Sequence, residues 1–293
     1  MVELEGSFAA RASRRRFLQR LLAVSALPAV PLHAAQHAVR VGLTPVFLDD
    51  QISFTSRWRL WLEGRLERPV SFVQRGNYRE IIDLLVGGKI DYAWLCGYPY
   101  VRHRRQLRLV AVPLWQGKPF YQSYLIASAD TPEIRGLADL RGKVFAYSDP
   151  DSNSGYLYPQ FRLRQLGENP ANYFAKTFFT WAHRNVVHAV GDGLADGGAV
   201  DGYVWEMLAR HRPETVRGTR IIDKSPLLGF PPFVARADLP EVEVKRFRAA
   251  LVDMAVDARG AALLELLGLE GFMPGSHALY DGIARMVERM RQA

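Results

Sequence analysis

Apolar and polar positions follow two alternating periods along the chain, and this alternation predicts an α/β fold. Short apolar runs, such as VRVGL from Val39 and VSFV from Val70, predict buried strands. Between such runs, segments such as NYREIIDLLV space apolar residues three and four apart, which predicts helices packed through one face. Residues 240–258 and 279–290 have the same helical period over a longer stretch. We therefore expect mixed sheets flanked by helices.

The chain contains an internal repeat at an offset of 105 residues. NYREIIDLLVGGKIDYAWLCGY at 77–98 aligns with AHRNVVHAVGDGLADGGAVDGY at 182–203. Each copy predicts a helix, a Gly-x-x-Asp turn and a buried strand, and the second strand is expected to run through GGAVDGYVW. The repeat therefore predicts two similar lobes, with a ligand cleft where strand ends and helix N-termini meet. The residues expected near that cleft are Tyr78, Cys96, Tyr98, His183, Asp201 and Tyr203.

The N-terminus predicts an export signal. SRRRFLQ from Ser13 is followed by the apolar run LLAVSALPAVPL, and this order is similar to a twin-arginine signal over residues 1–35. The run is too short to span a bilayer, which takes about 20 apolar residues. We expect a periplasmic protein that is cleaved after the signal and does not insert into the membrane.

Charge and cysteine content narrow the class of partner. The formal net charge is +8, but the signal holds five basic and two acidic residues, so residues 36–293 carry 33 basic against 28 acidic residues. This mild excess favours small anions, and no arginine-rich tract interleaved with aromatics indicates nucleic-acid binding. RHRR at 102–105 is the densest basic cluster and is expected to be a solvated loop. Cys96 is the only cysteine, so no intramolecular disulfide can form.

The stretch YSDPDSNSGYLYP at 147–159 predicts an anion-binding helix N-terminus. A strand stops at Pro150, and Ser152, Asn153 and Ser154 are residue types that cap helices. Free backbone N–H groups and the helix dipole at such a terminus attract an oxyanion. Ordinary capping without a ligand is the alternative interpretation of this stretch.

Enzyme motifs are weak by comparison. His183 and His188 are five residues apart, which places them on different helix faces and disfavours a two-histidine metal site. Gly-x-Ser-x-Gly and the phosphate-loop Gly-Lys-Ser/Thr are absent from the sequence. We expect no enzyme activity, no metal and no cofactor. A hydrolase using Ser152, His183 and Asp201 is the alternative from another functional class.

Three patterns together resemble one receptor family. They are Asp-Pro-x-Ser-x-Ser-Gly after a strand, the aromatic-x-Ser of YQSYLIA, and a histidine opening a helix that ends in Gly-x-x-Asp. These resemble the phosphonate/phosphite-binding family of periplasmic solute receptors, from about Val39 to the C-terminus. The resemblance implies a two-lobed type II periplasmic binding protein that closes on phosphate, phosphite or a phosphonate for an ABC importer. It implies a chain crossing twice between lobe 1 (36–124 and 230–293) and lobe 2 (125–229).

The resemblance also implies roles for individual residues. Ser152, Asn153 and Ser154 are expected to cradle the anion, with Tyr121 and Ser123 beside it and His183 donating from its helix start. Facing residues are expected from the other lobe. The full set of predicted ligand-binding residues is Thr44, Phe47, Cys96, Tyr98, Tyr121, Ser123, Ser152, Asn153, Ser154, His183, Asp201 and Tyr203.

Two departures from the family pattern keep alternatives open. Asn153 stands where a hydroxyl residue is usual, and DGYVWE is bulkier than the family's usual strand end, so the ligand is expected to be altered or unusually small. Some members of the broader family are oxyanion or arsenite sensors that use a cysteine near the cleft, and Cys96 suits that role or simple core packing. The expected partner of the monomer is an ABC permease or a membrane sensor kinase.

Overall fold

The computed structural model describes residues 37–44 and 52–292. Within these residues the chain alternates between strands and helices, as the sequence pattern predicts. The strands are β1 (Val39–Leu43), β2 (Val70–Gln74), β3 (Tyr92–Trp94), β4 (Leu107–Leu114), β5 (Phe120–Tyr121), β6 (Ser123–Ser128), β7 (Val144–Tyr147), β8 (Lys176–Phe179), β9 (Gly197–Asp201), β10 (Thr219–Lys224), β11 (Leu228–Gly229), β12 (Phe233–Arg236) and β13 (Gly271–Pro274).

The α-helices flank the sheets, and single turns of other helix types occur at 137–140, 153–157, 253–256 and 277–280. The α-helices are α1 (Ile52–Leu66), α2 (Tyr78–Val86), α3 (Gly97–His103), α4 (Tyr158–Gln165), α5 (Pro170–Tyr173), α6 (His183–Gly191), α7 (Gly202–His211), α8 (Pro213–Val216), α9 (Glu241–Val252), α10 (Ala258–Leu267) and α11 (Asp281–Gln292).

The first sheet has the strand order β13-β4-β12-β3-β1-β2. β1 runs parallel to β2 and β3, whereas β12 is antiparallel to β3 and β4. Helix α1 packs on β2, and α9 packs on β4 and β13. Aromatic residues fill this core, where the ring of Trp94 stacks on Phe233 at 5.2 Å. The result is a mixed sheet covered by helices.

The second sheet has the strand order β10-β6-β9-β7-β8. β7 is parallel to β8 and β9, while β6 runs antiparallel to β9 and β10. Helix α6 packs against β9, β6 and β7 on one side. A separate apolar cluster that includes Phe145, Phe174 and Leu163 lies on the other side. The second sheet therefore has an apolar cluster of its own, whereas the residues of α6 and the strands beneath it belong to one continuous apolar cluster with the first sheet.

The chain crosses between the two sheets twice, at β5 to β6 and at β10 to β11. The two crossings pair with each other, because β11 is antiparallel to β5 with Leu228 opposite Tyr121. Ser225 extends the pairing, since its backbone N–H donates to Ser123 O at 2.9 Å. This ladder joins the two sheets side by side.

The internal repeat folds alike in both copies. Helix α2 corresponds to α6, β3 to β9 and α3 to α7. The glycines that follow the two helices, Gly88 and Gly193, both have left-handed backbone angles, with φ of 68° and 73°. The predicted helix-turn-strand equivalence at the offset of 105 residues is present in the fold.

Several element boundaries differ from the sequence prediction. The strand predicted through GGAVDGYVW is wrong beyond Asp201, because the Asp201 side chain caps α7 by accepting from the N–H groups of Tyr203 and Val204. The helical stretch 240–258 is broken, since Asp257 caps a new helix, α10. The expected RHRR loop is wrong for its first half, because Arg102 and His103 form the end of α3.

The predicted export signal over residues 1–35 lies outside the described residues. Among the helices that the structure describes, none has the length and apolar character needed to cross a membrane.

Candidate functional site

The loop after β7 forms the centre of the site. After Tyr147 the chain passes through residues 148–152 into a single π-helical turn, Asn153–Leu157. Ser152 caps this turn, because its Oγ accepts from the Gly155 N–H at 2.9 Å. Ser152, Asn153 and Ser154 are all fully buried. The predicted SNS stretch is thus the buried N-terminus of a helical turn, in which the backbone N–H groups of Ser152 and Asn153 donate to Asp149 O and Cys96 Sγ.

Asn153 connects this turn to residues from distant elements. Its backbone N–H donates to Cys96 Sγ at 3.1 Å, and its side-chain Nδ2 donates to the Tyr121 hydroxyl at 2.8 Å. Ser154 is held next to them, since its carbonyl accepts from Ser123 Oγ at 2.7 Å. The first of these contacts joins the second sheet to the strand end of the first sheet, so the site lies between the two sheets.

His183, the first residue of α6, is a neutral hydrogen-bond relay. Its Nδ1 accepts from the backbone N–H of Asp201 at 3.0 Å, and its Nε2 lies 3.2 Å from the Tyr78 hydroxyl. Burial lowers the pKa of His183 to about 3. Because Nδ1 accepts, the network assigns the ring proton to Nε2, which donates to Tyr78. The Tyr78 hydroxyl therefore keeps its own proton to donate elsewhere.

Asp201 lies at the equivalent strand end in the second copy of the repeat. Its Oδ1 accepts from the N–H of Tyr203 at 2.9 Å, while its Oδ2 has no hydrogen-bond partner among the described residues. Burial raises the pKa of Asp201 to about 7, and the N–H groups of Val204 and Tyr203 oppose that rise. Near neutral pH this carboxyl group can hold a proton and donate a hydrogen bond into the site.

Cys96 is a buried thiol in the same site. Burial raises its pKa to about 11, against the lowering effect of the Asn153 N–H and neighbouring hydrogen bonds. The sulfur is therefore protonated at neutral pH. Its position between the strand end of β3 and Asn153 shows that the thiol faces the space between the sheets.

Four buried polar atoms around the turn lack hydrogen-bond partners within the described residues: Ser148 Oγ, Asn153 Oδ1, Ser154 Oγ and Asp201 Oδ2. Buried polar atoms are usually paired, so a cluster of unpaired ones indicates a place for a ligand or water. The space is narrow beside Gly155, where an added Cβ would overlap Ser148 and lie 3.1 Å from His183 Cε1. Donors and acceptors thus meet in a tightly packed, buried cluster.

A second group of contacts ties the loop 148–152 to helices that follow β2 and β3. Asp149 Oδ2 accepts from the Tyr78 N–H at 3.0 Å. Asp151 pairs with Arg79 of α2 at 2.9 Å and with Arg102 of α3 at 3.0 Å. Burial raises the pKa of Asp149, while the N–H groups of Tyr78 and Asp151 lower it. These contacts hold the two sheets together over the cleft.

The family comparison agrees with this geometry. The sequence profile of the family described as ABC transporter, phosphonate, periplasmic substrate-binding protein matches residues 41–280. The chain belongs to this family. Members are substrate-binding proteins of transporters, and the two-sheet architecture described above is their two-lobed α/β fold.

Individual relatives of this phosphonate-binding family member are distant in sequence. The phosphate-import protein PhnD of Mycolicibacterium smegmatis is 32% identical over 148 residues, 47% of this chain and 46% of that protein. The match therefore spans about half the length of that relative. The phosphonates-binding periplasmic protein of Escherichia coli is 26% identical over 256 residues, 84% of this chain and 75% of that protein.

A solved structure shows the same fold. PhnD1 from Prochlorococcus marinus in complex with methylphosphonate superposes with a TM-score of 0.78 at 19% identity, over 87% of this chain and 99% of that one. At this identity the similarity establishes the fold.

The structure brings most of the predicted site residues of this family member together. Contacts link eight of them around the buried turn, namely Cys96, Tyr121, Ser123, Ser152, Asn153, Ser154, His183 and Asp201. Thr44 lies at the neighbouring strand end, where its Oγ1 donates to Trp94 O at 3.0 Å. Phe47 lies outside the described residues.

Two predicted residues have side chains engaged elsewhere. The Tyr203 hydroxyl donates to Leu267 O at 2.7 Å, and its ring packs against Trp115 and Phe230. The Tyr98 ring lies beneath the Arg102 guanidinium, 5.4 Å from its carbon. The structure therefore separates these two rings from the hydrogen bonds of the turn.

The predicted ligand set also omitted residues that the structure brings into the site. The sequence predicts Tyr78 near the cleft but not among the ligand-binding residues, and the signal for its role is the offset of 105 residues that pairs it with His183. Asp149 and Asp151 lie inside the SDPDSNSG stretch, yet only their partners in three dimensions distinguish them from ordinary turn residues.

Proposed function

We propose that this protein is a periplasmic receptor that closes on a small oxyanion, phosphate, phosphite or a phosphonate, and delivers it to an ABC importer. The observation that carries the proposal is the cluster of four buried polar atoms, without hydrogen-bond partners among residues 37–44 and 52–292, around the N-terminus of the turn 153–157. Family membership supports it, as do the names of relatives that import phosphate or bind phosphonates.

The polarity of these atoms supports a ligand that is still protonated. Ser148 and Ser154 offer hydroxyl donors, whereas Asn153 Oδ1 can only accept. A hydrogen phosphate or hydrogen phosphonate ion supplies both oxygens that accept and an O–H that donates. Sulfate has no proton to give at neutral pH, so it leaves an acceptor unpaired at about 1 to 3 kcal/mol. We therefore propose selectivity against sulfate.

The proposed roles of the residues follow from their contacts. Ser152, Asn153 and Ser154 hold the anion at the turn, and Tyr78 donates to it through the proton that His183 leaves free. Asp201 donates when protonated. Tyr121 and Ser123 orient Asn153 and Ser154, and Thr44 is proposed to face them from the end of β1. For Phe47 the proposal rests on the sequence alone.

A binding role is favoured over catalysis by the state of His183. A general base must accept a proton at a free ring nitrogen, but Nδ1 already accepts from Asp201 and the pKa lies at about 3. Ser152 Oγ is occupied with the Gly155 N–H. The hydrolase alternative using Ser152, His183 and Asp201 therefore has little support in the geometry.

We further propose export by the twin-arginine route, a monomeric mature protein and a lobe division at 36–124 with 230–293 against 125–229. Sheet membership supports this division to within two residues. The second sheet comprises β6 (Ser123–Ser128) to β10, so the first boundary falls two residues inside β6, and the other main-sheet strands belong to the first sheet.

Calorimetric titration of the protein lacking residues 1–35 tests the proposal. We expect binding of phosphate, phosphite or methylphosphonate at micromolar or lower concentration, and at least about 100-fold weaker binding of sulfate. Heatless injections of all three phosphorus oxyanions would contradict the proposed function. If sulfate bound as tightly as the phosphorus oxyanions, only the proposal that the bound ligand is protonated would be contradicted.

The position of Cys96 favours one second candidate, a metalloid sensor that signals to a membrane kinase. Its sulfur faces the Asn153 N–H inside the cleft, where arsenite could exchange a hydroxyl group for the sulfur and release water. Cys96→Ser should then abolish arsenite binding and leave the folded state and phosphate titration intact. Unchanged arsenite affinity in this variant, or none in the wild type, assigns Cys96 to packing.

A further inference from the structure

Asp151 joins elements of both sheets through two arginines. Its carboxylate is 4% exposed and lies within 3.0 Å of guanidinium nitrogens from both Arg79 and Arg102. Asp151 belongs to the loop after β7 of the second sheet, whereas the arginines belong to α2 and α3, which follow strands of the first sheet. Separation of the sheets at this cleft has to break both ion pairs.

The same loop position connects these ion pairs to the anion cradle. Asp151 directly precedes the cap residue Ser152, and its backbone N–H donates to Asp149 Oδ1 at 2.8 Å. Asp149 in turn accepts from the Tyr78 N–H. Ion pairs and hydrogen bonds therefore fix residues 149–153 as one unit against α2 and α3.

Because the Asp151 carboxylate is buried, the stability of the closed arrangement depends on its two arginine partners. A carboxylate that is shielded from water is tolerated when cations pair with it, and removing those cations leaves an uncompensated charge. Opening offers the carboxylate water instead, so the closed arrangement gains the ion pairs and loses hydration. Because the arginine side chains are partly exposed, at 49% and 33%, salt should screen this balance.

We propose that Asp151 is an ion-pair latch, together with Arg79 and Arg102, that sets the fraction of receptor already closed before an oxyanion binds. Asp151 is a positioning residue: it acts through the loop and the arginines. The effect on affinity rests on the proposed function, but the effect on closure does not.

The chain carries its own reporter of closure. Cys96 is the only cysteine, and it is 1% exposed with its sulfur on the Asn153 N–H across the cleft. Alkylation by N-ethylmaleimide without any oxyanion measures how often the cleft opens. In about 50 mM NaCl we expect Asp151→Asn to react about 5-fold faster than the wild type, since two partly exposed pairs are lost.

Removing the two arginines, in place of the carboxylate, gives a stricter test of the latch. Arg79→Gln with Arg102→Gln leaves a buried unpaired carboxylate, so this variant should react faster than Asp151→Asn. Adding Asp151→Asn to it should slow the reaction back to the Asp151→Asn rate. Raising NaCl to about 0.5 M should speed wild-type alkylation and leave Asp151→Asn unchanged. Arg75→Gln, an exposed arginine near the start of α2, is the matched control and should react like the wild type.

Thermal unfolding by circular dichroism identifies any variant that fails to fold. If the variant that lacks both arginines does not fold, the latch is tested by comparing how NaCl changes the alkylation rate of the wild type and of Asp151→Asn. Equal rates in wild type and Asp151→Asn at both salt concentrations would overturn the latch even if phosphate binds tightly. The predicted order of rates without any phosphate, phosphite or phosphonate binding would support the latch and overturn the proposed function.

Discussion

The Tyr78 hydroxyl lies 3.2 Å from His183 Nε2, and these two residues occupy equivalent positions in the two copies of the internal repeat. Each is the first residue of its helix, α2 or α6. The N-termini of the repeated helices thus meet between the two sheets, where both helix dipoles present their positive ends to the proposed anion site.

Tyr78→Phe should weaken oxyanion binding by about 10-fold or more, because a hydrogen bond to a charged ligand contributes about 1.5 to 3 kcal/mol. Calorimetric titration with phosphate measures the loss. Tyr100→Phe is the matched control, since Tyr100 also contacts a histidine, His277, away from the turn. Loss of affinity in both variants, or in neither, would contradict a specific role for Tyr78.

Asp201 should make oxyanion affinity fall as pH rises through about 7, because its pKa lies there and ionisation replaces a donor by a repelling charge. Asp201→Asn keeps a capping side chain and removes the titration. Oxyanion affinity is measured for the wild type and the variant from pH 5.5 to 8.5, about 1.5 units either side of the pKa of Asp201. Ionisation of the ligand affects both proteins equally, so its effect cancels in the ratio of the two affinities. A constant ratio would count against this role.

The same carboxyl group should make the fold less stable at high pH. An unfolded aspartate titrates near about 3.9, so the raised folded pKa gives stability that is fully present below about pH 4. That stability is lost as pH rises through about 7. Urea unfolding at pH 5 and pH 8 should differ by on the order of 2 kcal/mol more in wild type than in Asp201→Asn. Equal differences would show that Asp201 is ionised in both states.

Local patterns predicted the α/β class, the helix start capped at Ser152 and the repeat, because apolar periodicity and capping residues act over a few positions. They failed at Asp201, where a strand pattern continues into a helix and the side-chain cap decides the boundary. The Asp151 pairs with Arg79 and Arg102 had no sequence signal, since partners 72 and 49 residues away meet only after both sheets have formed.

Gly155→Ala should damage the site. The new methyl group would overlap Ser148 and crowd His183, so the turn and the polar groups that we propose to bind the anion have to shift. We expect a loss of about 1 to 3 kcal/mol in unfolding free energy and little phosphate binding. Gly64→Ala in α1 is the control: its methyl group meets nothing within 4 Å and should stabilise the helix by about 0.5 to 1 kcal/mol. If Gly155→Ala bound phosphate as tightly as the wild type, the turn would accommodate the methyl group without a change in the proposed site.

Asn153→Asp should weaken both binding and folding. Asn153 is fully buried and its Nδ2 donates to the Tyr121 hydroxyl, so a carboxylate there is desolvated and loses that bond. This cost outweighs the interaction of the charge with the helix N-terminus and should lower the unfolding free energy by about 1 to 3 kcal/mol. The same charge repels an oxyanion, so phosphate affinity should fall by about 100-fold or more. Thermal unfolding and calorimetry measure the two effects. Affinity retained in this variant would place the anion away from Asn153.

The pairing of the two crossings, β5 and β11, limits how the two sheets can move relative to each other. Because the two connecting segments are hydrogen-bonded to each other, we expect that neither twists independently and that the sheets rotate as rigid bodies about the axis of this short ladder. A rotation about one axis has a single degree of freedom. One interspin distance, measured between labels on α1 and α5, should therefore describe the whole motion.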